Sequence, residues 1–500
     1  MSRAYERLRV LLGEIYDLER VGFLLAWDQE TTMPADGAAA RADQRATVGR
    51  AAHERLVSDE LGKLLEELRA EEESLPYESD EASLIRLARR EHEKACRVPA
   101  ELRAQLLREG ALGLGAWLEA RERRDFEVLR PHLERLLELR RRYVDCFEPA
   151  GDPYDVLLDD YERGFTTAET EHVLEHLKRE LVPLVEAARE ADADAPVLEG
   201  PFPVERQRAF ALDLLGRLGF DPRSWRLDRS EHPFAANLAI SDIRLTARFD
   251  EAHLSGIFAC IHEFGHGLYE RQIASSLART PLAGGASAAL HESQSRMWEN
   301  LVGRGRAFWR FAYDDLREAL PELREVDLER FFRAVNRIRP SLTRVDADEI
   351  TYNLHIVLRF ELERELLAGR LEVRDLPEAF DERMLGYLGL EVPDARSGVL
   401  QDIHWADAGF GYFPTYSLGN VMSVQIWEKA CSDLGDLDTR IERGDFGDLR
   451  EWLREHLHRH GRKFTPRETL LRAAGSEIDP EPYVRYLKGK LGEVAGVAVS

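Results

Sequence analysis

Cysteine is scarce in this chain. There are four, Cys96, Cys146, Cys260 and Cys431, and no two form a C-x-x-C pair. That tells against a disulfide framework and a thiolate zinc site, and it fits a reducing, cytoplasmic setting. Positive charge is in deficit: 69 basic against 93 acidic side chains leave a formal net charge of −24. A general nucleic-acid binder needs a positive surface to displace counterions, and an anionic membrane surface asks for the same, so neither partner is expected. Lysine supplies only seven of the basic residues, which reads as genome composition without bearing on mechanism. Long apolar runs are missing. No stretch approaches the roughly 18 residues of a membrane span. The N-terminal segment MSRAYERLRVLLGEIYDLER is charged throughout, so export is not expected either. Also absent are a βαβ rhythm, a glycine-rich phosphate loop and an internal repeat.

What is present is core-forming material in helical register. The 500 residues are 44% hydrophobic and 9% aromatic, enough for a sizeable core. Leu8, Leu11, Leu12, Ile15 and Leu18 recur at three- and four-residue steps. So do Val173, Leu174, Leu177, Leu181, Leu184 and Val185, and Leu354, Val357, Leu358, Leu362 and Leu366. Thr166 with Glu169, and Asp250, stand where helix caps belong. Strand signals are few. The best is 242–249, where Ile243, Leu245, Ala247 and Phe249 alternate with polar residues. Pro/Gly breaks near 148–153, 196–203, 281–285 and 393–398 are too short for flexible linkers. The expectation is one mostly α-helical, two-lobed domain over 1–500 with a small sheet near residue 240.

Chemistry concentrates at His262-Glu263-Phe264-Gly265-His266. Residues four apart share a helix face, so both imidazoles reach one ion, while Glu263 addresses a metal-activated water as general base. Leu254, Ile257, Phe258, Ala259, Ile261, Phe264 and Leu268 make this helix apolar around most of its girth. Burying two histidines and a glutamate there is costly unless they are paired or metal-bound. Catalytic zinc takes three protein ligands and keeps the fourth place open. Glu292, 26 residues beyond His266 on a new helix-like stretch, is the candidate for the third, with His291 and Glu299 in competition. Two other histidine groups resemble sites less well. His172, Glu175 and His176 match the inverted motif H-x-x-E-H but lie mostly off an apolar stripe, as a solvated face would. His456, His458 and His460 precede Gly461 and read as histidines at a helix C-terminus.

Three further segments suit a peptide substrate. The strand 242–249 offers an edge along which an extended main chain can pair. Arg344 lies in a loop before Ile350. It either forks onto a terminal carboxylate, as an exopeptidase needs, or pairs with Asp346 or Asp348. Residues 398–416 are dense in glycine, aromatic and polar side chains, a composition suited to a pocket wall. A tyrosine hydroxyl there is placed to stabilise an oxyanion.

The sequence resembles the carboxypeptidase Taq family of metallocarboxypeptidases over essentially its full length. The resemblance is carried by LAWDQETTMP (25–34), HPF (232–234), SDIRLTARF (241–249), HEFGH (262–266), HESQSR (291–296), TRVDADEITYNLHI (343–356), GVLQDIHW (398–405) and GYFPTYSLGN (411–420). Where the family pattern has isoleucine this chain has Thr343, while Arg344, Ala347 and Asp348 match. The resemblance implies an almost wholly helical zincin-like fold with a deep groove between two lobes. It implies stepwise release of C-terminal amino acids from peptides, broadly tolerant of the side chain, with C-terminal proline disfavoured. His262, His266 and Glu292 take the ligand roles and Glu263 that of base. Arg344 matches the carboxylate-reading motif, and Gln401, Asp402, His404 and Trp405 match the second motif. Tyr416, or Tyr412, falls near the scissile group. Zinc or cobalt and a homodimer are further implications. The alternatives are an endo-oligopeptidase with the same metal centre and a non-catalytic helical scaffold using metal structurally.

Overall fold

Leu8, Leu11, Leu12 and Ile15 fall on one face of α1 (Arg3–Thr31), and that face is buried as their spacing predicts. They pack with Leu61, Leu65, Leu84, Ile85 and Leu282 in one hydrophobic cluster. Ser2 caps the helix by accepting from Tyr5 N. An antiparallel partner, α2 (Ala38–Leu56), follows a short 3-10 turn and buries only Ala52. These elements belong to a computed structural model that describes residues 2–193 and 196–495. The ends of the expected 1–500 span, residue 1 and residues 496–500, lie outside them.

The chain divides into two compact units, each assembled from three stretches. The first comprises Met1–Cys96, Leu198–Phe332 and Ile426–Glu477; the second comprises Arg97–Val197, Arg333–Gln425 and Ile478–Ser500. Helices dominate both, in line with the expected fold class.

The small sheet belongs to the first unit. Its strands are β1 (Trp225–Arg229), β2 (Ala235–Ala239) and β3 (Asp242–Ala247), in the order β1-β3-β2. Strand β3 is parallel to β1 and antiparallel to β2, with Leu245 opposite both Leu227 and Ala235. Ile243, Leu245 and Ala247 are buried, as the alternation requires, whereas Phe249 lies beyond the strand. The reading of 242–249 as a substrate edge is corrected here: β3 is paired on both sides, so the outer strands are β1 and β2. Sequence reading missed both, because WRLDR and AANLA are short and lack a run of alternating apolar residues.

Helix α3 (Ser255–Arg271) follows the sheet, and α4 (Ala288–Arg296) continues directly into a π-helical turn, Met297–Val302. Asp250 does not cap α3. Its carboxylate accepts from Ala252 N within the preceding turn (2.7 Å).

In the second unit the capping box of Thr166 and Glu169 is present at Thr167–Leu181. Helix α5 (Thr351–Leu367) is buried on every side through Phe360, and only Glu361, Arg364 and Glu365 are half-buried beyond it, so its apolar stripe is one part of a largely enclosed helix. The helix Pro414–Leu434 contains the boundary between the two units.

Candidate metal centre

Helix α3 exposes almost nothing: Ile257, Phe258, Ile261, Phe264 and Leu268 are all buried. Its glycines set how closely it is packed. A Cβ on Gly265 would lie 2.5 Å from Gln294 O and 2.6 Å from Ser295 Cα, so only glycine lets α4 come this near. On another side, a Cβ on Gly267 would meet Trp225 at 2.4 Å, which places the helix against the sheet.

That approach brings three donors together. His262 and His266 stand one turn apart with ring centroids 4.9 Å apart. Glu292 Oε2 lies 3.7 Å from His262 Nε2 and 3.4 Å from His266 Nε2. Three donors held 2.0–2.1 Å from one ion at tetrahedral angles are about 3.4 Å apart, so the set fits a divalent cation. The other ring nitrogens are occupied. His262 Nδ1 donates to Glu299 Oε2 (2.9 Å), and His266 Nδ1 lies 2.6 Å from His291 Nδ1. His291 Nε2 donates to Glu270 Oε1 (2.9 Å), which also accepts from Gly285 N (2.9 Å). This chain of partners fixes both tautomers with Nε2 free toward Glu292. Glu299 and His291, which spacing left in competition with Glu292, therefore stand behind the imidazoles.

The charges are arranged to match. Burial pushes the Glu292 carboxyl upward, but Arg296 (2.7 Å) and the imidazoles hold it well below the usual range. Burial pushes His266 down to about 4, leaving a neutral ring with a lone pair. For His262 the downward push of burial is outweighed by Glu292 and Glu299. Arg296 and Arg304 compensate Glu299 at 3.4 and 3.1 Å. Burial raises Glu263 to about 7, and its Oε2 has no hydrogen-bond partner among the described residues. A buried carboxylate beside the donor set with one idle oxygen is what a proton acceptor requires.

The remaining candidates lie in the second unit and share one network. Arg344 is 6% exposed. Its Nε and Nη2 donate to Asp402 Oδ1 (2.9 and 2.7 Å), and Nη1 donates to Tyr352 (2.9 Å). Its expected structural partners, Asp346 and Asp348, are thus replaced by Asp402. Asp348 instead accepts from Ile350 N, Thr351 N and the Thr351 hydroxyl. Arg359 donates to Asp402 Oδ2 (2.7 Å). Burial alone would raise Asp402, but the two guanidinium groups hold it well below the carboxylate range. His404 is pushed down by burial to about 4 and stays neutral. One carboxylate between two arginines leaves an excess positive charge in this buried cluster. Gln401 accepts from Arg344 N and donates to Leu342 O and Ser397 O. Tyr416 Oη lies 3.2 Å from His404 Nε2, and the Tyr412 ring lies 5.4 Å from that imidazole.

Sequence reading missed the ridge that holds this network. His355, Arg359 and Glu363 follow one another at four-residue steps on buried α5. Glu363 accepts from Trp405 Nε1 (2.8 Å), Gly411 N (2.9 Å) and the Tyr154 hydroxyl (2.6 Å). The signal was there, in charged residues inside the otherwise apolar run LHIVLRFELERELL. Two decoy readings also change. His172 and Glu175 are exposed as expected, but His176 is buried, against Arg179 and Glu481. His458 is wholly buried and joins Gln272 to Gln294.

The sequence profile of the carboxypeptidase Taq (M32) metallopeptidases matches residues 7–491. The chain belongs to this family. A thermostable carboxypeptidase 1 of Thermus thermophilus is 38% identical over 505 residues, covering 99% of each chain. The crystal structure of an M32 carboxypeptidase from Deinococcus radiodurans superposes with a TM-score of 0.95 at 40% identity, covering 99% of this chain and 100% of that one. Trypanosoma cruzi metallocarboxypeptidase 1 gives a TM-score of 0.94 at 31% identity, covering 98% and 99%. As an M32 enzyme the protein is a metal-dependent carboxypeptidase, and peptides are its substrates. Among the described residues no helix is long and apolar enough to cross a membrane.

Proposed function

We propose that this carboxypeptidase releases C-terminal amino acids stepwise from peptides in the cytoplasm, as a homodimer whose chain acts as one catalytic domain over 1–500, with C-terminal proline disfavoured. The observation that carries the site assignment is the convergence of His262, His266 and Glu292 within 4.8 Å of one another. These three hold zinc, with cobalt as the alternative. When bound, the ion supplies Lewis acidity to the scissile carbonyl and acidifies water. Glu263 takes a proton from the attacking water as the new C–O bond forms, and passes it to the leaving amine as the peptide C–N bond then breaks. Arg344 draws in the terminal carboxylate, helped by the excess positive charge beside Asp402 and Arg359. In this reading Asp402 and Gln401 position Arg344, while Trp405 fixes the loop through Glu363. His404 orients Tyr416, which donates to the developing oxyanion, with Tyr412 the second candidate. The substrate main chain pairs with the outer strand β2.

One experiment tests the metal-dependent exopeptidase reading and the role of Arg344. An unblocked peptide and its C-terminal amide are incubated with the enzyme and with Arg344→Ala, and the products are weighed by mass spectrometry. The expected result is a ladder shortened from the C-terminus, abolished by chelator, much weaker on the amide, and lost in the variant for the free acid above all. Internal cleavage indifferent to amidation would overturn it.

A further inference from the structure

Polar side chains also gather deep in the second unit, at the start of α5. Asn353 there is fully buried. Its amide uses all of its hydrogen-bonding capacity. Nδ2 donates to Glu349 O (3.0 Å) and to the Tyr483 hydroxyl (2.9 Å). Oδ1 accepts from the Ser417 hydroxyl (2.9 Å) and from Asn420 Nδ2 (3.1 Å). A main-chain carbonyl can only accept, so Glu349 O fixes which end of the amide faces it. Three elements thus meet at one side chain: α5, the helix Pro414–Leu434 and α6 (Glu481–Ala495). Helix α6 grips the same place a second time. Tyr483, Tyr486 and Lys490 recur at three- and four-residue steps on one of its faces. Tyr483 donates to Glu349 O (3.3 Å), Tyr486 to Glu349 Oε2 (2.8 Å) and Lys490 to Glu349 Oε1. The side chains of Glu349 and Lys490 are only 13% and 10% exposed. Such a buried pair brings little net stability over apolar packing; what it contributes is a fixed geometry.

The gripped residues adjoin ones with a part in the proposed reaction. Asn353 follows Tyr352, whose hydroxyl accepts from Arg344 Nη1 (2.9 Å). Ser417 follows Tyr416. The rings of Tyr352 and Tyr416 meet edge-on with centroids 6.1 Å apart, and the Arg344 guanidinium lies 4.9 Å from the centre of the Tyr416 ring. Successive residues of a helix point about 100° apart. Arg344, Tyr352 and Tyr416 therefore form one cluster, while Asn353, Ser417 and Asn420 lock the two helices beside it. How far Arg344 stands from the Tyr416 hydroxyl is set where α5 meets the helix Pro414–Leu434, and that junction is pinned through Asn353. Resting on the carboxypeptidase reading, in which Arg344 takes the terminal carboxylate and Tyr416 the oxyanion, we propose that Asn353 is a positioning residue. It holds these two groups at the spacing of one terminal amino acid, with α6 as its anchor.

The test measures kcat and KM on an unblocked peptide for the metal-loaded enzyme, Asn353→Ala, Tyr416→Phe and the double variant, with Lys490→Met and Lys490→Arg beside them. Misplacing a reacting group by about 1 Å costs up to roughly 100-fold, so Asn353→Ala should lower kcat about thirtyfold. KM should change less than about threefold, because Arg344 keeps its bonds to Asp402. Once Tyr416→Phe has removed the hydroxyl, adding Asn353→Ala should cost less than about threefold more. Lys490→Met should lower kcat in the same sense, and Lys490→Arg should restore it. Calorimetric titration of acetylphenylalanine into chelator-treated enzyme should give equal affinities for the parent and Asn353→Ala. If Asn353→Ala does not fold, Ser417→Ala and Tyr483→Phe each delete one bond to the amide and take its place. Losses that multiply in the double variant, or a lowered melting temperature with kcat unchanged, would overturn the assignment. If no peptide is shortened from its C-terminus by the parent enzyme, it is the carboxypeptidase reading that has failed, and the proposal falls with it.

Discussion

Each imidazole of the proposed metal site has its second nitrogen fastened to a different device: a carboxylate behind His262, and a second imidazole backed by a carboxylate behind His266. Such partners orient the ring and raise its basicity, and losing one typically costs roughly 10–100-fold in metal affinity. Glu299→Gln should therefore weaken binding by that order in competition with a chelator, while circular dichroism stays unchanged. Undiminished affinity would show that His262 needs no backing. The second buried carboxyl, Glu363, leads to a different prediction. Burial raises it to about 7, above the ordinary glutamate value of 4.5. Its contribution to stability is therefore present below that ordinary value and is lost as pH rises through about 7, up to roughly 3 kcal/mol over the window. Urea midpoints measured between pH 5 and 8 should decline, and the decline should flatten in Glu363→Gln. Residues of this kind were half legible in the sequence. The H-E-x-x-H spacing announces its own geometry because a helix fixes it. The pairing of Arg344 with Asp402, 58 residues away, does not follow from spacing, and the nearer Asp346 and Asp348 looked equally suitable.

At the scale of elements, the metal centre depends on how closely α3 and α4 approach. Adding one methyl at Gly265 forces Cβ onto Gln294 O and Ser295 Cα, backbone atoms that cannot rotate away. Gly265→Ala should cost about 1–3 kcal/mol of stability and spread Glu292 from the imidazoles. Thermal denaturation together with metal content per chain checks both effects. A variant that keeps full metal loading would show that the helices have room to spare. The periodic stripes of α1, Thr167–Leu181 and α5 were readable because a helix repeats its buried face within a few residues. The strands β1 and β2 were not, because their five-residue segments are defined by what they pair with. The central place of β3 likewise emerged only with its two neighbours.

At the scale of the molecule, His262, His266 and Glu292, the three proposed ligands, all belong to the first unit, so a metal held there would act as a ligand of that unit's native state. At 100 times its dissociation constant it should stabilise that state by about 2.7 kcal/mol. Chelation should lower the melting temperature and speed hydrogen exchange in residues 255–302 more than in residues 351–367. Uniform acceleration would mean that the stabilisation is not local. Each unit is also stitched from three separated stretches of chain. A nascent polypeptide has therefore made every proposed metal ligand by residue 292 while the unit that surrounds them still awaits Ile426–Glu477 from the ribosome. The first unit cannot close before its last stretch, Ile426–Glu477, has been made, so its early and late segments must find each other across a long intervening chain. Neither half can be excised by a single cut for separate expression.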